Sequence, residues 1–182
     1  MATLIALHPS YHSSWLEGTA EFAGEHRGGA GGEGWSLMEL RDVNAFSKFV
    51  ADLNADALPE SPRKPGYVPC TYLCIVERQR FLGSLVIRHE LNEFLLEEGG
   101  HIGYSVRPSA RGRGYATRAL GEALSIARNL GVSHVLLTCA EGNAASRTII
   151  EKNGGVYEDS RRGTRRYWIY AGLADEDGSF RR

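Results

Sequence analysis

The sequence predicts an α/β chain of the α+β kind. Six to seven strands form a central mixed, mostly antiparallel sheet, and about four helices flank it. Three observations predict this. First, the hydrophobic period changes inside the stretch 101–130. Ile102, Tyr104 and Val106 alternate with His101, Gly103, Ser105 and Arg107, as in a strand. From Tyr115 onward Ala116, Ala119, Leu120, Ala123, Leu124, Ala127 and Leu130 recur at helical spacing. Second, two pairs of strand patterns meet across tight turns, at 78–80 and 162–164, and tight turns join antiparallel neighbours. Third, 182 residues suit one domain with a real core.

The elements follow in order. Thr3 to Leu7 is a short apolar run, read as a first strand. His12 to Phe22 is helical, with Ser13 or Ser14 as N-cap. Residues 24–34 hold six glycines in eleven positions, which predicts a mobile loop. Asp42 caps a second helix whose apolar face is Val43, Phe46, Phe49, Val50 and Leu53. The four prolines of 59–69 rule out helix and mark a rigid internal connector. Cys70 to Val76 and Phe81 to Arg88 are the strands of a hairpin. Residues 90–100 are ambiguous: Leu91, Phe94 and Leu95 have helical spacing, and Glu97 to Gly100 make an acidic turn.

Pro108 ends the strand 101–107, because it has no N–H to give a ladder, and Gly131 ends the helix 113–130. His134 to Cys139 is almost wholly apolar, as in a strand buried on both faces, and completes a right-handed βαβ unit. Asn143 caps a further helix closed by Gly154. Gly155 to Asp159 and Arg165 to Tyr170 are the last strands, and the polar tail from Ala174 is expected to fray.

Composition narrows the function classes. A net charge of −1 implies no broad nucleic-acid or membrane surface. The four arginines at 161, 162, 165 and 166 are expected to be a charged sheet edge, not a nucleic-acid site. No apolar run approaches the length of a spanning helix, and the first residues lack the pattern of a secretory signal. Cys70, Cys74 and Cys139 are odd in number and form no CxxC pair, which points to reduced thiols in the cytoplasm. No metal is expected.

Between the strand and the helix lies SARGRG, from Ser109 to Gly114. Glycines let backbone approach a ligand, and the first amides of a helix are unpaired at the positive end of its dipole. Together they suit a phosphate, with Arg111 and Arg113 adding charge; a plain glycine turn with exposed arginines is the other reading. A Walker loop is excluded, because Tyr115 and Ala116 follow the last glycine. The dinucleotide fingerprint is excluded as well, because Thr117 stands where its third glycine belongs.

Arg111, Gly114 and Ala116 match the R-x-x-G-x-G/A signature of the GCN5-related N-acetyltransferases, and YSVRPSAR resembles that family's fourth strand entering its loop. A second block agrees: Asn143, Ser146, Glu151 and Gly154 resemble its N-x-x-S/A…E-x-x-G segment. The resemblance covers about residues 70–170. The runs RHELN and RRYWI extend it to bacterial proteins described only as predicted acetyltransferases. It implies one acetyltransferase domain over 1–182, with a strand and acceptor-side helices in 1–58 and an acetyl-CoA core in 70–170. It also implies a sheet splayed at its fourth and fifth strands. Acetyl-CoA would be the donor, its pyrophosphate on the amides of Arg111, Gly112, Arg113, Gly114, Tyr115, Ala116 and Thr117. Its pantetheine arm would lie along Tyr104, Ser105 and Val106, with Asn143 and Ser146 beside it. Asn143 acting only as a cap is the alternative.

Acyl transfer to an amine needs an oxyanion donor, for which a backbone N–H near Ser105 or Val106 serves, and a base. Glu98 is the first candidate base, by its place before the central strand. His101 is the second, by its near-neutral unperturbed pKa. Where many members of the family carry a tyrosine that protonates the leaving thiolate, this chain has Ile150. The hydroxyl then comes from Tyr104, Tyr157 or Tyr167, or the thiolate leaves unassisted. Arg88, His89 and Glu90 end a strand near the acetyl position and are candidate acceptor contacts; exposed strand-end residues are the alternative. The implied activity is acetyl transfer to a primary amine of a small molecule or protein by direct attack in a ternary complex. The competing function is a non-catalytic CoA-binding sensor. Dimers are frequent in the family, so a homodimer is among the implied assemblies.

Overall fold

A computed structural model describes residues 1–172; the tail from Ala174 lies outside them. Seven strands form two sheets. The first has the order β1 (Thr3–Ile5), β2 (Cys70–Glu77), β3 (Arg80–Arg88), β4 (Ile102–Val106). The second has β5 (His134–Ala140) beside β7 (Thr164–Tyr170), and β7 beside β6 (Val156–Arg161). Every ladder is antiparallel. Among the described residues the mixed centre expected from a βαβ unit is therefore not formed. β4 and β5 are joined by the helix α3 (Tyr115–Asn129) but share no ladder.

They touch at one end. His101 donates its backbone N–H to Leu136 O at 2.7 Å, and the Leu136 N–H donates to His101 Nδ1 at 2.9 Å. Beyond that point the strands part, and this is the expected splay.

One face of the first sheet packs on α3, and α4 (Ala144–Lys152) packs on α3 and β5, with Leu85, Ile87, Leu120, Leu137 and Ile150 almost wholly buried. The other face packs on α1 (His12–Ala20) and α2 (Val43–Ala55) through Trp15, Phe46, Phe49, Cys74 and Phe81. The caps follow the sequence at two helices: Asp42 accepts from Asn44 and Ala45, and Asn143 accepts from Ser146. At α1 they do not. Tyr11 holds the cap position, and Ser14 Oγ instead accepts from Phe81 N across 67 residues. The ambiguous stretch forms a π-turn, Leu95–Gly99, in which Gly100 N donates to Leu95 O.

The glycine loop is packed down on the sheet. A Cβ at Gly28 would lie 2.8 Å from Tyr104 O, and one at Gly29 would lie 2.4 Å from Gly103 O. Only a chain without side chains there can lie so close to β4.

Candidate active site

The strand β4 supplies two faces and one open edge. Arg107 N donates to Leu82 O and Arg88 N to His101 O. Bonded pairs alternate along an antiparallel ladder, so the amides of Gly103 and Ser105 belong to the pairing with β3. Those of Tyr104 and Val106 point away from β3, to the side where β5 has parted. The Ser105 amide, one of two expected oxyanion donors, is thus engaged, and the Val106 amide is the one left. Along the same strand Tyr104 Oη and Ser105 Oγ are buried without a hydrogen-bond partner.

The strand runs into a short turn, Pro108–Ala110, and then into α3, whose N-cap Gly114 has φ 78° and no side-chain cap. A left-handed φ favours glycine there. Among the described residues, none of the amides from Gly112 to Thr117 has a hydrogen-bond partner. They lie at the positive end of a 15-residue helix. Arg111 does not surround this nest as expected. Its Nη2 pairs with Glu25 at 2.7 Å, its Nε donates to Val106 O, and its guanidinium lies over Phe22. Arg113 is exposed at the loop.

The turn is anchored by residues that sequence reasoning missed. Arg107 is buried and donates through Nε to Glu21 at 2.9 Å, while Ser109 donates to the same carboxylate from its amide and hydroxyl. The Arg107 hydrogen bond, ahead of those from Ser109, holds the Glu21 carboxyl at a pKa of about 2. No local signal joins Glu21 to Arg107, because 86 residues separate them.

Opposite β4 stands β5, with Cys139 in the same cluster as Tyr104 and Tyr167. Burial pushes the Tyr104 hydroxyl up to about 12, with Ser146 on α4 pulling the other way. Asn143 Oδ1 is occupied by the cap, and Ile150 is buried in the core. Of the alternative hydroxyls, Tyr167 is wholly buried and donates to Glu151, while Tyr157 is half exposed and bonded to Ser160. Tyr104 alone of the three is buried without a hydrogen-bond partner.

His101 does not suit the role of base. It is 7 % exposed, its Nδ1 lone pair is taken by Leu136, and burial, then Arg88, pulls its pKa down to about 4. It holds β4 to β5. Glu98 is exposed on the π-turn, its carbonyl accepting from Thr138 of β5 and its carboxylate 3.9 Å from Arg162. Arg88 Nη1 is spent on Gly99 O and Gly100 O, and His89 bonds Thr71, so both hold chain in place; Glu90 is exposed. The four arginines of the last hairpin are engaged too. Arg161 and Arg166 pair with carboxylates, Arg165 lies over Tyr157, and Arg162 faces Glu98. The three cysteines are buried and free, and no helix among the described residues is long and apolar enough to cross a membrane.

The family model for the acetyltransferase (GNAT) domain matches residues 36–156. The chain belongs to this family. It is an acyltransferase of the N-acetyltransferase class. No curated protein sequence matches the chain. Among solved structures it is similar to Mycobacterium smegmatis RimJ in complex with CoA-disulfide, at a TM-score of 0.67 and 19% identity over 93% of this chain and 82% of that one. It is similar to RimL, a ribosomal L7/L12 α-N-protein acetyltransferase in complex with coenzyme A, at 0.60 and 16% over 93% of each. A third likeness is to a chimera of the spermidine N-acetyltransferase SpeG from Vibrio cholerae and hSSAT, at 0.57 and 17% over 93% and 95%. At these identities the likeness concerns the GNAT fold, which the two sheets and the parted β4 and β5 reproduce.

Proposed function

We propose that the protein transfers an acetyl group from acetyl-CoA to a primary amine by direct attack in a ternary complex. The observation that carries this is the continuity of unpaired donors. The open edge of β4, at Tyr104 and Val106, leads into the unpartnered amides of Gly112 to Thr117. The former suit a pantetheine arm and the latter a pyrophosphate. Tyr104 Oη, buried and orphaned, supports the fit, since such groups are costly unless a ligand pairs them. Ser146, on α4, acts on the Tyr104 hydroxyl, and the resemblance adds Asn143, which caps that helix. That solved relatives hold CoA or acetyl-CoA agrees with this donor.

Acetyl-CoA supplies an acetyl group activated as a thioester. The Val106 amide donates to the carbonyl oxygen, where negative charge develops. Tyr104 stays protonated at neutral pH. A hydroxyl of pKa about 12 gives up its proton poorly to a thiolate of about 8.5, so its part is hydrogen-bond donation to the sulfur. The amine is the larger obstacle. At pH 7 about one part in a few thousand of a lysine-like amine is free base, roughly 4–5 kcal/mol uphill. Glu98, exposed beside β5, is the base that offsets part of this.

Calorimetric titration with acetyl-CoA, and separately with ATP and NADH, tests the donor. Micromolar acetyl-CoA binding with no response to the others is expected; a folded protein that ignores acetyl-CoA overturns the reading. Glu98→Gln should leave acetyl-CoA binding intact and lower kcat at least tenfold. An unaltered pH–rate profile would remove Glu98 from the mechanism.

A further inference from the structure

The open edge of β4 and the amides of Gly112 to Thr117 are the two halves of the proposed donor seat, and five residues join them, Arg107 to Arg111. How the halves face each other depends on that joint. Its own backbone fixes it only weakly. Pro108 has no N–H to give, and Pro108–Ala110 is a single turn of 3₁₀ helix, a form with poorer hydrogen-bond geometry. Its internal bonds run from Ala110 N to Arg107 O and from Arg111 N to Pro108 O.

A further hold comes from α1. Glu21 is the C-cap of that helix, and its carboxylate spans the joint. Oε1 accepts from Arg107 Nε at 2.9 Å, from Arg107 Nη2, and from Ser109 Oγ at 2.9 Å. Oε2 accepts from Ser109 N at 3.0 Å. Arg107 is 4 % exposed, and its Nη1 is fixed on Phe81 O at 3.1 Å. Nor is there slack between α1 and this arginine. A Cβ on Gly18 would lie 2.7 Å from the Phe81 ring and 3.5 Å from Arg107 Nε.

Attraction does not explain a carboxylate here. Glu21 bonds Ser109, three residues before Gly112, and a negative charge beside a phosphate seat opposes the ligand. Net stability explains it poorly as well, since desolvation offsets the attraction in a buried ion pair. What these hydrogen bonds supply is direction. They fix Ser109 relative to Arg107, and so the loop relative to the strand.

We propose that Glu21 is a positioning residue for acetyl-CoA. Acting through Arg107 and Ser109, it holds the loop so that the amides of Gly112 to Thr117 and the open edge of β4 face one ligand. The proposal rests on the donor seat described above and adds to it a residue that lies outside it.

Calorimetry with acetyl-CoA, well below the Tm of each variant and with circular dichroism to show that it is folded, tests this. Glu21→Gln keeps the shape but has one acceptor oxygen where the carboxylate has two. It removes a negative charge near the phosphate seat, so charge alone would tighten binding. Loss of position predicts the reverse, a Kd at least tenfold higher. Glu21→Leu with Arg107→Met avoids leaving a buried arginine unpaired, and such apolar replacement of both partners is often neutral for stability. It leaves the net charge unchanged, and its Kd should also rise at least tenfold. In this double variant, free of ligand, the amide resonances of Gly112 to Thr117 should move while those of β6 stay. A role in stability alone would lower Tm and leave the Kd of the folded protein as it was. Wild-type affinity in either folded variant overturns the proposal, and so does weaker binding with unmoved loop resonances. If the wild-type protein itself ignores acetyl-CoA, the donor seat falls and the role of Glu21 falls with it. If the wild type binds and the variants bind equally well, the seat stands and only the positioning role is lost.

Discussion

His101 shows how a residue with a catalytic reputation is turned to structure by its surroundings. Its imidazole is buried, and its lone pair caps an amide that would otherwise face apolar core. Replacing it with alanine leaves the Leu136 N–H without a partner, at a cost of about 1–3 kcal/mol. Its titration has a definite sign. In the unfolded chain the ring binds a proton below its ordinary pKa of 6.5, and in the fold it does so only below about 4. Between those values the unfolded state holds more protons, so stability falls as pH drops through that window. The loss is at most about 3 kcal/mol. His89 is shifted the same way by burial, so the difference between wild type and His101→Ala is the quantity to read. Urea midpoints at pH 7 and pH 4.5 should fall further in wild type than in the variant. Equal falls would mean that His101 titrates normally. Tyr104 belongs to the same scale. Tyr104→Phe removes a buried, unpartnered hydroxyl, so it should not destabilise the free protein, yet kcat should fall about tenfold. Unchanged kcat in single-turnover measurements would leave the thiolate unassisted.

The loop before α3 acts as a unit, and on the proposed reading its unpartnered amides, not its arginines, hold the phosphate. Gly114→Glu places a carboxylate beside amides suited to phosphate, and acetyl-CoA affinity should drop more than a hundredfold. The left-handed φ of 78° makes any side chain there strained, about 1–2 kcal/mol. Gly114→Ala carries that strain without the charge, and there is open space for its Cβ. Affinity in the alanine variant should stay within about tenfold of wild type; an equal loss in both would assign the effect to backbone geometry. Elements of this kind were legible in the sequence because their signals are local. A change of period at Tyr115, a cap at Asn143 and a turn at Arg162 each lie within a few residues of what they determine. The Glu21–Arg107–Ser109 anchor, the Arg111–Glu25 pair and the seating of Gly28 on Tyr104 join distant segments, and no local pattern announces them. The loop at 24–34 is the sharpest case. Its glycines signal freedom in the chain alone, whereas in the fold they permit close contact with β4.

At the scale of the molecule, the two sheets are held together where β4 starts and are apart where it ends. His101 and Leu136 close one end, and the π-turn braces it through Thr138 and through Arg166, whose Nη1 donates to Leu96 O. The other end is closed by neither sheet. The β4 donors at that end have no ladder partner in the free protein, so a ligand between β4 and β5 should act as the missing ladder. Amide exchange reads this directly. In the free protein the Tyr104 and Val106 amides should exchange much faster than those of Gly103 and Ser105, which the β3 ladder holds. Saturating acetyl-CoA should slow the first pair and leave the second unchanged. The same binding stabilises the whole chain. At a hundred times its Kd a ligand specific to the folded state contributes about 2.7 kcal/mol, and for a chain of 182 residues that raises Tm by about 5–10 °C. A rise in Tm without protection of Tyr104 and Val106 would place the ligand elsewhere. Protection of all four amides alike would mean that β4 pairs with its neighbours in another register, and the open edge proposed to seat the donor would not exist.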